Sequence, residues 1–149
     1  MQSLKFSLSM EPITLNLTER NGNHRRYSTS KYKEFMKVFN LQVGKHNKGF
    51  RDIAKSYDPY RHFWIMSYIF HIPNLITKSG PNRGKISIKS KDLSNIEKPL
   101  EDQIFKKLKI YNEEIDDCQT CTCYKRKVYG DNYRIDVEVS IGDLNGKNN

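Results

Sequence analysis

Acidic side chains are concentrated in two short segments, residues 91 to 102 and residues 116 to 119. Asp92 lies where a strand is expected to end and a helix to begin, and Asp117 lies at the expected start of the following strand. A divalent metal used for phosphodiester hydrolysis needs hard oxygen ligands, two or more carboxylates with open positions for water and phosphate. Asp92, Asp117 and an acid on the helix therefore form a candidate metal site.

Lys98 precedes Glu101 and Asp102 by three and four residues, which places all three on the same region of a helix. Its ammonium is a candidate for neutralising the charge that develops on a phosphate during hydrolysis. Two ordinary interpretations compete with this one. Lys98 is also suited to a surface ion pair, and acids near a helix start are favoured by the helix dipole.

A strand and a helix are expected to position these residues. Ile86 and Ile88 alternate with polar residues and predict a short strand. An i, i+4 series of apolar residues then predicts a helix to about Lys109; it comprises Ile96, Leu100, Ile104 and Leu108. Ser94 is a candidate N-cap, with Glu97 completing a capping box, although Pro99 favours a later start of the regular turns.

The remaining pattern predicts an α+β fold, a small domain with a mixed or antiparallel sheet packed against helices. Alternation predicts a strand at 13 to 17. The aromatic and β-branched run from 60 to 72, which Pro73 ends, lacks clean alternation; it is consistent with a buried central strand, and its periodicity also fits a helix. Helical spacing predicts one helix from about 31 to 43, with Ser30 as N-cap, and a shorter one that Pro59 stops.

The end of the chain alternates strictly between 133 and 141, and the turn residues 129 to 132 join this segment to 119 to 128. This pattern predicts a β-hairpin. Residues 73 to 85 are expected to form a mobile loop because they contain Gly80, Pro81 and Gly84 among cations. We expect one domain over residues 1 to 141 and a frayed tail over 142 to 149.

Positive charge is concentrated in the first part of the chain. The net charge is +9, yet residues 20 to 91 hold 16 Lys or Arg against three acids, a local balance of +13. Such a surface suits phosphate binding, although a solubilising surface has the same composition. The candidate DNA-binding residues are Arg25, Arg26, Lys31, Lys33, Arg83, Lys85 and Lys91.

Several other classes of protein are disfavoured by the sequence. No stretch approaches the length of about 20 apolar residues that a membrane span needs, and the first residues lack a signal-peptide pattern. The three cysteines Cys118, Cys121 and Cys123 are odd in number, and no fourth ligand completes a zinc site. We therefore expect reduced thiols and a cytoplasmic protein.

The spacing D-x-x-N-x-x-K-x-x-x-D on a helix, followed by D-D-x-Q at a strand start, resembles the RusA family of Holliday junction resolvases. The residues that carry this resemblance are Asp92, Asn95, Lys98, Asp102, Asp116, Asp117 and Gln119. Looser similarity extends to the basic stretch at 24 to 33 and to the final strands. Ser94 is a departure, because the family usually has a second acidic ligand at that position.

The resemblance implies a homodimeric α+β nuclease with two magnesium sites, Mn²⁺ being an alternative ion, which acts on branched DNA in a bacterial or phage-infected cell. Asp92 and Asp117 would be metal ligands and catalytic residues, with Lys98 as a catalytic cation. Glu101 would replace the acid absent at Ser94, while Asp102 and Asp116 are further candidate ligands. Ser94 and Asn95 would then be structural.

Three functions follow from this reading. The first is a magnesium-dependent endodeoxyribonuclease that resolves four-way junctions. The second is a protein of the same fold that binds branched DNA and cuts it weakly or not at all. The third is a basic RNA-binding protein, which the aromatic and basic first half would suit but the clustered acids disfavour.

Overall fold

Alternating apolar side chains build a sheet around one long central strand, residues 62 to 72. The computed structural model describes residues 2–15, 19–22 and 25–146. The strands in chain order are β1 (Ser3–Leu8), β2 (Glu19–Gly22), β3 (Arg25–Ser28), β4 (His62–Ile72), β5 (Thr120–Tyr129) and β6 (Arg134–Asp143). The helices are α1 (Ser30–Val43), α2 (Asn47–Ser56) and α3 (Leu93–Tyr111).

The main sheet has the strand order β1-β6-β4-β5, in which only β4 and β5 are parallel. Every second residue of β4 is buried, and its register places Tyr68 beside Val137, which in turn lies beside Phe6 of β1. These side chains share one hydrophobic core with the buried faces of all three helices. The helices therefore cover one face of the sheet, and β2 and β3 form a separate two-stranded pair.

The expected α+β architecture, a single small domain with a mixed sheet, is confirmed. All three predicted helices are present at nearly the expected bounds, because each buries a continuous apolar stripe. The N-cap of the first helix is Thr29 rather than Ser30, since the Thr29 hydroxyl accepts the hydrogen bond from the Tyr32 backbone N–H at 3.1 Å.

The predicted hairpin of the last two strands is wrong. Both strands exist, but β4 lies between them and pairs with each, parallel to β5 and antiparallel to β6. Residues 130 to 133 cross the end of β4 and connect β5 to β6. The distance to be crossed is two strand spacings, about 10 Å, and four extended residues can reach that far. Alternation predicts that a strand exists. The strands that pair with it depend on which strand of the sheet gains most from burial on both sides.

Gly130 is the residue at which this crossing is most crowded. A Cβ at this position would lie 2.9 Å from the Cβ of His71 and 3.4 Å from the Asn132 carbonyl oxygen. Gly130→Ala should therefore lower the free energy of unfolding by about 1–3 kcal/mol, the usual range for overpacking. Urea unfolding measures this change. Gly44→Ala is the matched control, because no atom lies within 4 Å of its added Cβ and we expect a change of less than about 0.5 kcal/mol.

Three further expectations are corrected. The first strand is β1, while residues 13 to 15 belong to no strand and residues 16 and 17 lie outside the described residues. Ile86 forms only an isolated bridge to Ile76, and Ile88 is 98% exposed, so the predicted strand there is absent. The last strand continues to Asp143, and Gly142 is therefore part of the sheet rather than of a frayed tail.

The long loop from 73 to 91 is closed by its own backbone hydrogen bonds, including Thr77 N–H to the Lys85 carbonyl at 2.8 Å. Gly80 and Gly84 have φ values of 81° and 88°, a region that glycine adopts without strain. In the part of the chain that the structure describes, no helix has the length and apolar character of a membrane span.

Candidate active site

Helix α3 carries most of the acidic segment, and it begins earlier than expected. Asp92 is its N-cap residue, with an extended backbone (φ −68°, ψ 138°), and the Asn95 N–H donates to the Asp92 carbonyl at 3.1 Å. Ser94 consequently lies inside the first turn, and its predicted role as N-cap is wrong. Pro99 is accommodated inside the helix, where it is buried against the core.

Lys98 brings two carboxylates together. Its Nζ lies 2.9 Å from Asp102 Oδ1 on the same helix and 2.9 Å from Asp117 Oδ2, which precedes β5. The hydrogen bonds to Asp102 and Asp117 raise the pKa of Lys98 well above its ordinary value, so the ammonium stays charged. All three side chains are 39–46% exposed. The cluster Lys98, Asp102 and Asp117 is thus reachable from solvent.

Asp117 is held in place by a short 3₁₀ turn that its neighbours build. The Asp116 carboxylate accepts from the Cys118 N–H at 3.0 Å, and the Gln119 side chain accepts from the Asp116 N–H at 2.9 Å. Lys109 also donates to Asp116, at 3.2 Å. The bond from Cys118 is the main cause of an Asp116 pKa far below the usual range. Asp116, expected among the metal ligands, therefore shapes the turn.

A half-buried polar layer lies between α3 and β5, and sequence reasoning missed it. The Glu97 carboxylate accepts from the Lys125 ammonium and from the Cys123 thiol, at 3.0 Å for the thiol. Burial by itself would raise the pKa of Glu97, but the hydrogen bonds from Lys125 and Cys123 and the positive charge of Lys125 together outweigh it, so the pKa is lowered. Burial raises the pKa of the Cys123 thiol to about 12. The spacing of Glu97 and Glu101 is the sequence signal that could have revealed this layer, since acids four residues apart lie on the same face of a helix.

Glu101 belongs to this layer. Burial, followed by a hydrogen bond with Glu97 and its charge, raises the pKa of Glu101 to about 7. Burial is the main cause of a raised pKa of Tyr68, and the nearby charges of Glu101 and Cys123 raise it further. Glu101 lies seven residues after Ser94, about 10 Å along the helix axis. The role of Glu101 as the carboxylate that replaces an acid at Ser94 stays a prediction.

Asp92 lies at the N-terminal end of α3. It lies ten residues before Asp102, which corresponds to about 15 Å along the helix axis. Its side chain is exposed and, among the described residues, accepts no capping bond from the helix. Within the same described part of the chain, no three Asp, Glu, His or Cys residues form a group that could hold a metal. The expected convergence of Asp92, Asp117 and a helix acid is not what the structure shows.

The candidate DNA-binding cations lie in three regions. Lys31 and Lys33 are exposed on the first turn of α1, and Arg83 and Lys85 are exposed on the loop before α3. Lys91 instead has a structural role, since its ammonium donates to Glu11 at 2.9 Å and to the Pro12 carbonyl. The side chains of Arg25 and Arg26 lie outside the described part of the structure, although their backbone forms β3.

Residues 14–140 match the family model described as Endodeoxyribonuclease RusA, and these residues include every member of the cluster. The chain belongs to the RusA family. None of the curated proteins with which it was compared matches it. The RusA family is a family of endodeoxyribonucleases. Clustered acids are residues of the type that this class of reaction uses.

A divalent metal is implied by the RusA family, and the donor set at Lys98 suits one. Mg²⁺ is typically bound by one or two carboxylates, with water and substrate phosphate in the other positions. Asp102 and Asp117 supply two hard oxygen ligands that are already close enough to share one ammonium. The residues present therefore fit a metal bound mainly by two carboxylates and the substrate.

The raised pKa of Glu101 predicts how stability depends on pH. Between pH 4.5 and about 7 the folded protein retains a proton at Glu101 that the unfolded chain releases. The contribution of Glu101 to the free energy of unfolding is therefore present at pH 4.5 and is lost as the pH rises through 7. Glu101→Gln keeps a neutral side chain at every pH and should remove this part of the pH dependence.

Urea unfolding of wild type and Glu101→Gln at pH 5 and pH 8 checks this prediction. The variant should gain stability relative to wild type at pH 8 more than at pH 5. Glu113→Gln is the control, because Glu113 is exposed after the end of α3 and its replacement should leave the pH dependence unchanged. Parallel pH profiles for wild type and Glu101→Gln would contradict the assignment.

Proposed function

We propose that this RusA-family chain is a structure-selective endodeoxyribonuclease that cuts four-way or otherwise branched DNA by magnesium-dependent phosphodiester hydrolysis. The observation that carries the proposal is the Lys98 ammonium, held 2.9 Å from carboxylates of both Asp102 and Asp117 at an accessible surface. Metal-dependent hydrolysis of a phosphodiester uses carboxylates that hold the cation, and a separate positive charge stabilises the phosphate. This cluster contains both.

Each residue of the cluster has a separate role in the proposed reaction. Asp117 and Asp102 would hold the divalent ion, whereas the family motif would assign Asp92 in place of Asp102. When bound, the ion lowers the pKa of a coordinated water and stabilises charge on the phosphate. Lys98 stays protonated because of its two carboxylate partners, and it neutralises charge on a phosphate oxygen that enters the site. The Asp116 and Gln119 turn keeps Asp117 at the entrance to β5.

Binding of the DNA is assigned to exposed cations outside this cluster. Lys31 and Lys33 on α1 and Arg83 and Lys85 on the loop before α3 contact phosphates, with Arg25 and Arg26 as further candidates. Contacts of this kind release counterions, so the affinity should fall steeply as salt concentration increases. The bulk of this positive charge lies within residues 20 to 91.

A homodimer completes the proposal. Resolution of a four-way junction cuts two opposed strands of a nearly symmetric substrate, and a two-fold axis supplies two equivalent sites. Light scattering should give the mass of two chains, both for the free protein and on a junction. A monomer under both conditions would contradict symmetric resolution while leaving nuclease activity open to the cleavage assay.

The decisive experiment is a cleavage assay on a synthetic four-way junction with a magnesium titration. The proposal predicts paired incisions that require Mg²⁺ or Mn²⁺, with a linear duplex of the same sequence cut far more slowly. Binding in the presence of a chelator should show the same preference for the junction. Tight junction binding without incision at any metal concentration would contradict the nuclease proposal.

A second candidate function has its own support. Among the residues that the structure describes, two carboxylates meet at Lys98, and Asp92 lies about 15 Å along the helix axis from Asp102. Ser94 occupies a position that is usually acidic in the family. These features favour a protein that holds branched DNA and cuts it weakly. The same titration separates the two functions, because a weak nuclease would need an unusually high metal concentration.

A further inference from the structure

The loop that leads into α3 has a one-sided charge. Residues 73 to 91, called the basic loop below, contain five cations and no acid. These cations are Lys78, Arg83, Lys85, Lys89 and Lys91. A surface of this kind attracts a polyanion and repels a second copy of itself.

Two aliphatic side chains project from the basic loop into solvent. Ile86 is 64% exposed and Ile88 is 98% exposed, although burial of an isoleucine normally contributes about 1.5–3 kcal/mol. Single exposed apolar residues are common on protein surfaces. Here, however, two isoleucines lie two residues apart in a segment whose other exposed residues include Lys85 and Lys89.

The backbone of the basic loop holds these isoleucines in place. The Ser87 N–H, between them, donates to the Leu75 carbonyl at 2.7 Å, and Leu75 is buried in the core. The Ser90 hydroxyl donates to the Ser87 carbonyl at 2.8 Å and accepts from Lys127 on β5 at 3.0 Å. Ile88 is therefore presented to solvent by a segment that is fixed to the buried Leu75 on one side and to strand β5 on the other.

A branch point in DNA has the chemistry that this surface fits. Proteins that bend or open DNA insert aliphatic side chains between bases while cations bind the flanking phosphates. Unstacking requires least energy where the stack is already interrupted. The cations of the basic loop suit the phosphates around a branch point, and the two exposed isoleucines suit the base faces that are exposed there.

We propose that the basic loop inserts Ile88, assisted by Ile86, between the bases at the branch point of a DNA junction. This inference rests on the proposed function, and it adds the element that recognises the branch. The basic loop ends at Lys91, directly before Asp92, the N-cap residue of α3, so the loop leads straight into the helix that carries Lys98.

The test measures base unstacking without cleavage. A four-way junction carries 2-aminopurine at the branch point and is titrated with protein in the presence of a chelator. Wild type should increase the fluorescence of 2-aminopurine, whereas Ile88→Ser should lose most of this increase and bind the junction at least about fivefold more weakly, the lower end of what stacking contacts contribute. The dependence of affinity on salt should be unchanged, because no cation is removed.

Ile110→Ser is the matched control, since Ile110 is 73% exposed near the end of α3, far along the chain from the basic loop. It should behave as wild type in fluorescence and affinity. An Ile88→Ser variant with the wild-type fluorescence response would overturn the insertion of Ile88 while leaving the proposed function in place. A change from dimer to monomer in Ile88→Ser would overturn the insertion of Ile88 in favour of a protein interface. If wild type itself shows no preference for a junction over a duplex, the proposed function fails, and the insertion of Ile88 at a branch point fails with it.

Discussion

Replacement of Asp117 by Asn is expected to reduce junction cleavage at least about 100-fold, because ligands of a catalytic metal support several kcal/mol of transition-state stabilisation. Binding of the junction should be retained or strengthened, since the substitution removes a negative charge that repels phosphate. The side chain keeps its size, and at 39% exposure it does not form part of the core. Single-turnover cleavage and chelator-stabilised binding measure the two effects separately.

Two companion variants separate the alternative ligand sets. If the ion binds at Asp102 and Asp117, Asp102→Asn should be nearly as damaging as Asp117→Asn, and Asp92→Asn should be milder. If the family motif gives the ligands, Asp92→Asn should match Asp117→Asn instead. Cleavage by Asp117→Asn at the wild-type rate would remove Asp117 from the site under both schemes.

Replacement of Lys98 by Met should produce opposite changes in metal binding and in cleavage. The ammonium now neutralises Asp102 and Asp117, each 2.9 Å away, so its removal leaves two carboxylates that repel each other. A divalent ion should then bind several-fold more tightly. Cleavage should nevertheless fall about 100-fold, the usual effect of losing a charged donor that stabilises the transition state.

Calorimetric titration with Mn²⁺ in the absence of DNA measures the first effect, and single-turnover cleavage at saturating metal measures the second. Lys109→Met is the matched control, because Lys109 lies on the same helix, is 46% exposed like Lys98, and pairs with Asp116. It should change both quantities by less than about threefold. Weaker Mn²⁺ binding in Lys98→Met would contradict the arrangement of the cluster.

Local patterns predicted the elements better than their partners. The helices were predictable because each carries a stripe of apolar residues that only one face of a helix can bury. The last two strands were likewise predictable, yet their pairing was not, since alternation is the same whether the neighbouring strand is β5 or β4. The first strand, Ser3–Leu8, alternates as clearly as residues 13 to 17, and only the antiparallel register with β6 distinguishes them.

The candidate site divides in the same way. Lys98, Asp102 and Asp117 were singled out from their spacing, and the contact between Lys98 and Asp102 follows from a separation of four residues on a helix. The Asp117 contact joins residues 19 apart and depends on where the turn before β5 places the carboxylate. Asp92 was expected beside Asp117 because both lie at the junction of a strand and a helix. On α3, the ten-residue separation of Asp92 and Asp102 keeps these two carboxylates apart.

The sequence by itself determined the RusA family, the α+β class, the basic first half and the residue types from which a metal site must be built. Those properties depend on composition and on spacing within one element, which a linear pattern records directly. The tertiary structure decided which carboxylates share Lys98, that Asp116 shapes a turn, and that Glu97 and Glu101 form a half-buried layer against Cys123 and Lys125. The Glu97 contacts join α3 to β5, and the Lys98 contact with Asp117 joins α3 to the turn before β5. Their positions follow from the placement of β5 beside β4, which the packing of the whole core determines.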